Sequence, residues 1–295
     1  MRCCQFVADQ AARHPARLLC RGVGVSRSGY SAWRIRPPAA RVQGDQHLVE
    51  RSRLSQQRRR ATDGSPRVQA ELRATGQRCR RRRVARLLRQ AGLRGVHGRR
   101  RRVRTTVPDP AASRAPDRVE RAFAPAQIGA PDRRWLAASS DVATLAGWRS
   151  LAVVLDGFSR KVVGWAMADH LQTPLVVDAL TMAIQARQPA AGLIHHRDHG
   201  CQYTAIACGR QLCEAGLLAA MGTVGDADDN AVAEACCSAL KIERTDRRAW
   251  PTRAAARLAI FAYIEAWYTR RRRHSTLGYL SPVDFEALAS GGATT

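Results

Sequence analysis

Lysine is almost missing from this chain: Lys161 and Lys241 are its only two. Acids are scarce as well, 24 Asp and Glu against 49 Lys and Arg, so the formal net charge of +25 is carried by arginine. An imbalance of that size says little about fold and much about partners, and it suits a polyanion. Arginine forks match phosphate and guanine edges better than ammonium groups do, although GC-rich coding alone also replaces Lys by Arg. No apolar run approaches the roughly 18–20 residues that span a bilayer. The start, Met1-Arg2-Cys3-Cys4-Gln5-Phe6-Val7-Ala8-Asp9, has no secretory h-region. A soluble intracellular protein without a membrane partner is therefore expected. Nine cysteines lie at 3, 4, 20, 79, 201, 208, 213, 236 and 237, and none forms a C-x-x-C pair. That spacing argues against a disulfide framework or a zinc knuckle. His195, His196, His199 and Cys201 crowd together without the spacing of a zinc site, so reduced, mostly buried thiols are expected.

What is present divides the chain by composition. Residues 1–104 are basic and helical. Ala11 to Trp33 reads as a small helix-turn-helix, with Ser26 as an N-cap, and Pro37-Pro38 ends it. Ser65-Pro66 opens a second helix pair, with Val68 and Leu72 inward, and Thr75-Gly76 breaks it. Its second member, about Arg80 to Ala91, places Val84, Leu87, Leu88 and Ala91 on one face. Arg80, Arg81, Arg82, Arg83, Arg86 and Arg89 coat the others. From Arg78 to Arg104 there are 13 arginines and no acid. A Gly-containing turn between two short helices, the second coated with arginine, is the layout of a major-groove reader; a solvated basic helix is the plainer reading.

Residues 105–131 carry Pro108, Pro110, Pro116, Pro125 and Pro131 and read as a linker. Residues 132–249 change character. Leu151-Ala152-Val153-Val154-Leu155 suits a central strand, Asp156 to Arg160 a turn, and Lys161 to Met167 a returning strand. Leu175 to Arg187 has helical spacing, as does about Thr204 to Ala215, with a short strand at 217–221. Strands followed by alternating helices and strands make a mixed α/β sheet. Residues 250–295 are again helical and basic. Leu258, Phe261, Ile264, Trp267 and Tyr268 are expected in the core, and Arg270 to Arg273 as a phosphate-contacting patch.

Two acids carry the chemistry. Asp198 follows the apolar Gly192-Leu193-Ile194, in His195-His196-Arg197-Asp198-His199-Gly200-Cys201-Gln202-Tyr203. Glu234 closes Asp229-Asn230-Ala231-Val232-Ala233-Glu234, with 35 residues between the two acids. A carboxylate at a strand end and another on a helix is how a divalent-metal nuclease site is assembled, with hard oxygens holding Mg²⁺. Lys241 lies two helical turns beyond Glu234 on the same face, placed either for a DNA phosphate or as a solvated lysine.

With these motifs, from about Met1 to Phe285, the chain resembles the insertion-sequence transposases with a retroviral-integrase-type core, and within them the second-frame product of the IS-three family. Leu151 to Asp156, Phe158-Ser159-Arg160 and Val163-Gly164-Trp165 look like that family's second and third strands. Gly225-Asp226 and Asp229-Asn230-Ala231 look like its third-acid motif. Tyr268, Arg271, His274, Leu277-Gly278-Tyr279 and Ser281-Pro282 match its closing signature. The resemblance implies a ribonuclease-H-like fold preceded by an all-α helix-turn-helix region. It implies metal-dependent DNA cleavage and strand transfer with two Mg²⁺ or Mn²⁺ ions, Asp198 and Glu234 among their ligands. It further implies double-stranded DNA (element ends and target) as partner, a homo-oligomer on DNA, an upstream-frame partner protein, and a bacterial cytoplasmic, nucleoid-associated location. Lys241, Arg271, Arg272 and Arg273 join the α-helical arginines as expected DNA contacts.

The departures matter as much. Counting back from Leu151, Trp135 aligns with the tryptophan three residues before the family's first catalytic aspartate, and the acid's position is occupied by Ala138. Asp141 is offset by three residues, which on a strand means the opposite face. Asp156 belongs to a motif of its own. Cys236-Cys237 stands where the family packs two aromatics. A degenerate, catalytically impaired copy is expected; the alternative is a DNA-binding remnant that occupies element ends without cleaving them.

Overall fold

The computed structural model of the protein describes residues 2–58, 61–96, 118–119, 123–197, 206–221 and 231–291. Near the N-terminus, α1 (Arg2–Gln10), α2 (Ala16–Gly22) and α3 (Arg27–Ile35) close around Val7, Cys20 and Tyr30. Ser26 caps α3 as expected, its hydroxyl accepting the Gly29 N–H at 3.0 Å. The next helix, α4 (Ala40–Arg58), is not among the elements expected from the sequence. Its inward positions are Leu48, Ser52, Ser55 and Gln56, so no apolar stripe marks it. Leu48 packs with Val68 and Leu72 of α5 (Ser65–Ala74) and with Val84, Leu87 and Leu88 of α6 (Arg81–Gln90). The expected helix pair is therefore a three-helix unit. α5 begins one residue earlier than expected, with Gly64 at the cap and Ser65 already helical.

After a short α7 (Pro125–Ile128) comes a five-stranded sheet: β1 (Arg134–Thr144), β2 (Gly147–Asp156), β3 (Val162–Ala168), β4 (Ile194–Arg197) and β5 (Leu218–Met221). The order is β3-β2-β1-β4-β5. The first three strands run antiparallel, and β4 and β5 run parallel to β1. This is the ribonuclease-H-like arrangement. Side chains alternate along β1. Trp135 and Ala137 pack with α8 (Thr173–Arg187) and α9 (Ile206–Glu214) on one face. Leu136, Ala138 and Val142 pack on the other with α10 (Ala231–Glu243) and the C-terminal helices.

Gly164 of β3 shows how closely α8 lies on the sheet. A Cβ there would sit 2.2 Å from the Ala179 carbonyl oxygen and 2.7 Å from the Ala183 nitrogen, both backbone atoms. Gly164→Ala must displace the helix, and overpacking of that kind costs about 1–3 kcal/mol. A loss of that size is expected in chemical denaturation; an unchanged midpoint would mean that α8 rides higher than described.

The C-terminal segment needs a correction. α11 (Arg253–Phe261) continues into a π-helical stretch, Ala262–Tyr268, where Arg272 N–H reaches the Trp267 carbonyl at 2.8 Å. Leu258 and Phe261, expected in the core, are exposed by 70% and 51%. The inward residues are Ala256, Ala259, Ile260, Tyr263, Ile264 and Tyr268. Small alanines let α11 lie close to β1 and β2, and an expectation built on large apolar residues picks the wrong face. α12 (Pro282–Gly291) ends the described chain. No helix among the described residues is long and apolar enough to cross a membrane.

Candidate active site

β1 is the ruler for the acid positions. In its antiparallel pairing Ala138 faces Val153 of β2, and in its parallel pairing Leu136 faces His196 of β4. Position 138 is two residues along from Leu136, and Asp198 follows His196 by the same two. Asp198, with His199, Gly200, Cys201 and the Asp226–Asn230 motif, lies outside the described residues. Ala138 is 4% exposed and shares a buried cluster with Ala233, Cys236 and Cys237 of α10. So position 138 lies on the face of the sheet covered by the Glu234 helix, where the resemblance puts the first acid, and it carries a methyl group. Glu234 is exposed in the first turn of α10, an end of a helix that favours a carboxylate. Lys241 is half-buried in the last turn.

Neither neighbouring aspartate takes the missing place. Asp141 is exposed, belongs to the other side-chain parity of β1, and accepts the Ser150 hydroxyl at 2.9 Å. Three residues also carry it about 10 Å along the strand. Asp156 is fully buried at the end of β2. Its Oδ1 accepts the Ser159 N–H at 2.7 Å and the Ser159 hydroxyl at 2.9 Å, and its Oδ2 accepts the Asp132 N–H at 2.9 Å. Burial pushes this carboxyl up, while those bonds pull it down. Asp156 ties the β2–β3 turn to the start of β1, and its oxygens are spent on that task.

The two described histidines that precede Asp198, His195 and His196, are buried. His195 is completely buried, and burial, with the Arg197 and His196 charges, pushes it down to about 3, so it stays neutral. The His196 ring meets Phe123 edge-on at 5.7 Å. Arg197 points to the other face of the sheet, where its Nη1 donates to Cys208 Sγ at 3.3 Å beneath α9. Among the described residues no group of three or more His, Cys, Asp or Glu is placed to hold a metal ion. Cys20, Cys79, Cys208, Cys236 and Cys237 are buried thiols outside any disulfide, as expected; Cys3 and Cys213 are exposed.

Comparison with known proteins decides the family. The integrase core domain matches residues 131–227, and a second integrase core model matches 215–282. Transposase InsF of the insertion sequence IS3A from Escherichia coli is 33% identical over 95% of this chain and 97% of its own length. The chain belongs to the insertion-sequence transposases. It is of the IS-three type with an integrase-type core, a family that acts in DNA transposition. The transposase of IS629 from Shigella sonnei is 37% identical over 84% of this chain and 81% of its own. A 31 kDa protein of insertion element IS600, also from Shigella sonnei, is 37% identical over 90% and 97%. A solved structure, the HTLV-2 integrase catalytic core in complex with magnesium, shares 13% identity and covers 53% of this chain and 97% of its own, with a TM-score of 0.40.

As transposase surfaces, the arginine clusters separate into two kinds. Arg80 at the N-cap of α6 and Arg81, Arg82 and Arg89 on it are exposed. Arg83 and Arg86 instead grip Asp45 of α4, at 2.7 Å and 2.9 Å. These two, expected as DNA contacts, also tie α6 to α4 through that carboxylate. Among the C-terminal arginines only Arg271 of the expected trio is exposed. Arg272 is 11% exposed and closes on Glu243 with Nη2 at 2.9 Å from Oε1. Arg273 pairs with Glu71 of α5 at 2.7 Å and donates to the Tyr279 carbonyl at 2.9 Å. Arg272 and Arg273, expected as phosphate contacts, thus have carboxylates on their guanidinium groups. The acid at the centre, Glu243, also accepts from Arg67 of α5 at 3.1 Å and from the Tyr263 hydroxyl at 2.9 Å. Nothing in the sequence signals that network, since a lone Glu two residues after Lys241 reads as a solvated charge.

A test follows for α6. Replacing Arg80, Arg81, Arg82 and Arg89 together by alanine should weaken duplex binding at every sequence. The salt slope should fall by about 0.9 for each phosphate no longer neutralised. The same experiment on Arg83 and Arg86 should lower stability first. Weakening confined to a single DNA sequence in the fourfold variant would mean base reading rather than phosphate binding.

Proposed function

We propose that this transposase binds the ends of its element through the exposed arginines of α6, and that its metal-dependent strand cleavage is impaired, reduced to a trace, because position 138 carries no acid. The observation that carries the proposal is Ala138 itself, set in the α10 face of the central strand. Family chemistry calls for two Mg²⁺ or Mn²⁺ ions, which when bound activate a hydroxyl and stabilise the leaving oxygen. The donor set here does not fit such a pair. Asp198 and Glu234 are the acids the sequence offers, while position 138 carries only a methyl group, so no catalytic step is assigned to metal in this chain. Asp198, Glu234 and Lys241 remain the residues proposed to face DNA at the site, with Arg271 as the exposed C-terminal contact.

Double-stranded DNA is the proposed partner, with a second copy of the chain and an upstream-frame product as further assembly partners, and the nucleoid as the place of action. The excess of arginine supports the first of these. The alternative reading, a remnant that occupies element ends without cutting them, shares the binding step and differs only in whether any cleavage survives. One experiment tests both: purified protein on labelled element ends, with Mg²⁺ or Mn²⁺, assayed by mobility shift and for nicking. A shift without nicking is expected. Robust nicking would overturn the assignment at position 138, and absence of a shift at low salt would overturn DNA binding.

A further inference from the structure

A cavity of about 310 Å³ opens beside the first two turns of α10. It is large compared with the roughly 30 Å³ a water molecule occupies. Ala231, Val232 and Ala235 form one wall. Leu155, Cys236 and Tyr268 also line it, and the other lining residues are basic or polar: Arg67 from α5, Arg160 from the β2–β3 turn, and Arg272, His274, Ser275 and Thr276 from the segment after the π-helical stretch. Four separate parts of the chain thus converge here, within one turn of Glu234.

Arg160 is the telling member. Only 5% exposed, it donates through Nη2 to the Phe123 carbonyl at 2.6 Å, yet its buried Nη1 has no hydrogen-bond partner among the described residues. The acid whose charge reaches it, Asp156, is committed to Ser159 and Asp132. A buried guanidinium nitrogen without an acceptor is costly and calls for one. Arg67 and Arg272 share the single carboxylate of Glu243, with Asp63 at 3.4 Å from Arg67. Three guanidinium groups thus line the cavity. His274, with both ring nitrogens 3.4 Å from Arg272 Nη1, registers them: burial and then Arg272, Arg67 and Arg160 push the imidazole down to about 2.

We infer that this cavity is a phosphate-binding pocket, and that in the assembled complex it takes a phosphodiester of DNA lying along the Glu234 helix. Arg160, which lines the cavity, carries the unused buried donor at Nη1 and would turn it toward a bound phosphate. The Ser275 and Thr276 hydroxyls, on exposed residues at the mouth, supply further donors. The DNA half of the inference rests on the function proposed above; the phosphate half does not.

Sodium phosphate and a short element-end duplex serve as the two probes, on the full chain. Sodium phosphate should raise the melting temperature above sodium chloride at matched ionic strength. Ser275→Asp, which puts a carboxylate at the mouth without touching the interior, should abolish that rise. It should weaken duplex binding about 10-fold at low salt and lower the salt slope by about 0.9, the value of one phosphate. Thr276→Lys should act in the opposite direction, which damage to the fold would not do. Ser290→Asp, an exposed change outside the cavity, controls for net charge. No phosphate-specific rise, or equal effects of Ser275→Asp and Ser290→Asp on the duplex, would overturn the pocket. A phosphate rise without any duplex binding by the unmodified protein would overturn the DNA assignment and name free phosphate as the ligand.

Discussion

Ala138→Asp should turn a protein that binds its element ends without cutting them into one that nicks them when Mg²⁺ is supplied. Losing a mere second-layer partner of a metal costs about 10–100-fold in activity, so regaining a bridging ligand should raise nicking by more than about 100-fold. Geometry favours the rescue. Position 138 faces α10, and Arg197, which precedes Asp198, points its guanidinium to Cys208 on the opposite face of the sheet. The new carboxylate would enter a nearly sealed cluster, since Ala138 is 4% exposed. Without metal a buried, unpaired carboxylate is destabilising. The variant should therefore melt lower than the parent in EDTA and recover in Mg²⁺, a signature independent of turnover. Asp141→Ala should leave both proteins unaffected, since Asp141 belongs to the other face. If nicking stays absent and Mg²⁺ brings no recovery of melting temperature, position 138 does not share a metal with Asp198 and Glu234. If the unmodified protein nicks and Asp141→Ala abolishes it, the register that puts Ala138 at the site is wrong.

Much of this architecture is legible in the sequence, and the reasons are specific. The run Leu151–Leu155 is apolar because β2 is buried on both faces, and a run of that kind betrays a central strand whatever surrounds it. Ala138 is found by counting along β1, where a period of two assigns each residue to a face without ambiguity. Helices are harder to read. α4 buries Ser52, Ser55 and Gln56, so hydrophobic periodicity has nothing to detect. α11 buries alanines and exposes Leu258 and Phe261, so residue size misleads. The arginines are hardest of all. Arg82 and Arg83 are neighbours in sequence, yet one is exposed and the other holds Asp45, 38 residues away. An arginine's role depends on whether a carboxylate from a distant segment reaches it, and composition carries no record of that.

Glu243 gives the second large effect. Its side chain is 6% exposed and is shared by Arg272, Arg67 and Tyr263, so it joins α5, the end of α10 and the π-helical segment at one carboxylate. Removing one member of a buried ion network typically costs about 3–5 kcal/mol, because the remaining charges are left buried and uncompensated. Glu243→Gln leaves two guanidinium groups without their shared acid, and a loss in that range is expected in urea or thermal denaturation. The pH dependence separates this from simple loss of packing. Burial alone would raise the Glu243 carboxyl, but the Arg272 charge and hydrogen bond, then Arg67 and Tyr263, outweigh it and hold it below its ordinary 4.5. A carboxyl with a lowered folded pKa stabilises fully above its unfolded value and loses that contribution as pH falls through the folded one. The gap between parent and Glu243→Gln should therefore be widest above about pH 4.5 and narrow progressively in more acid solution. A gap that is constant with pH would assign the loss to shape rather than charge. Glu243→Leu combined with Arg272→Met should cost less than Glu243→Gln alone, since apolar replacement of both partners leaves fewer charges stranded. If instead the double variant is the less stable one, the network contributes net stability beyond compensating its own burial, and the tie between α5 and the sheet is stronger than an isolated buried pair would provide.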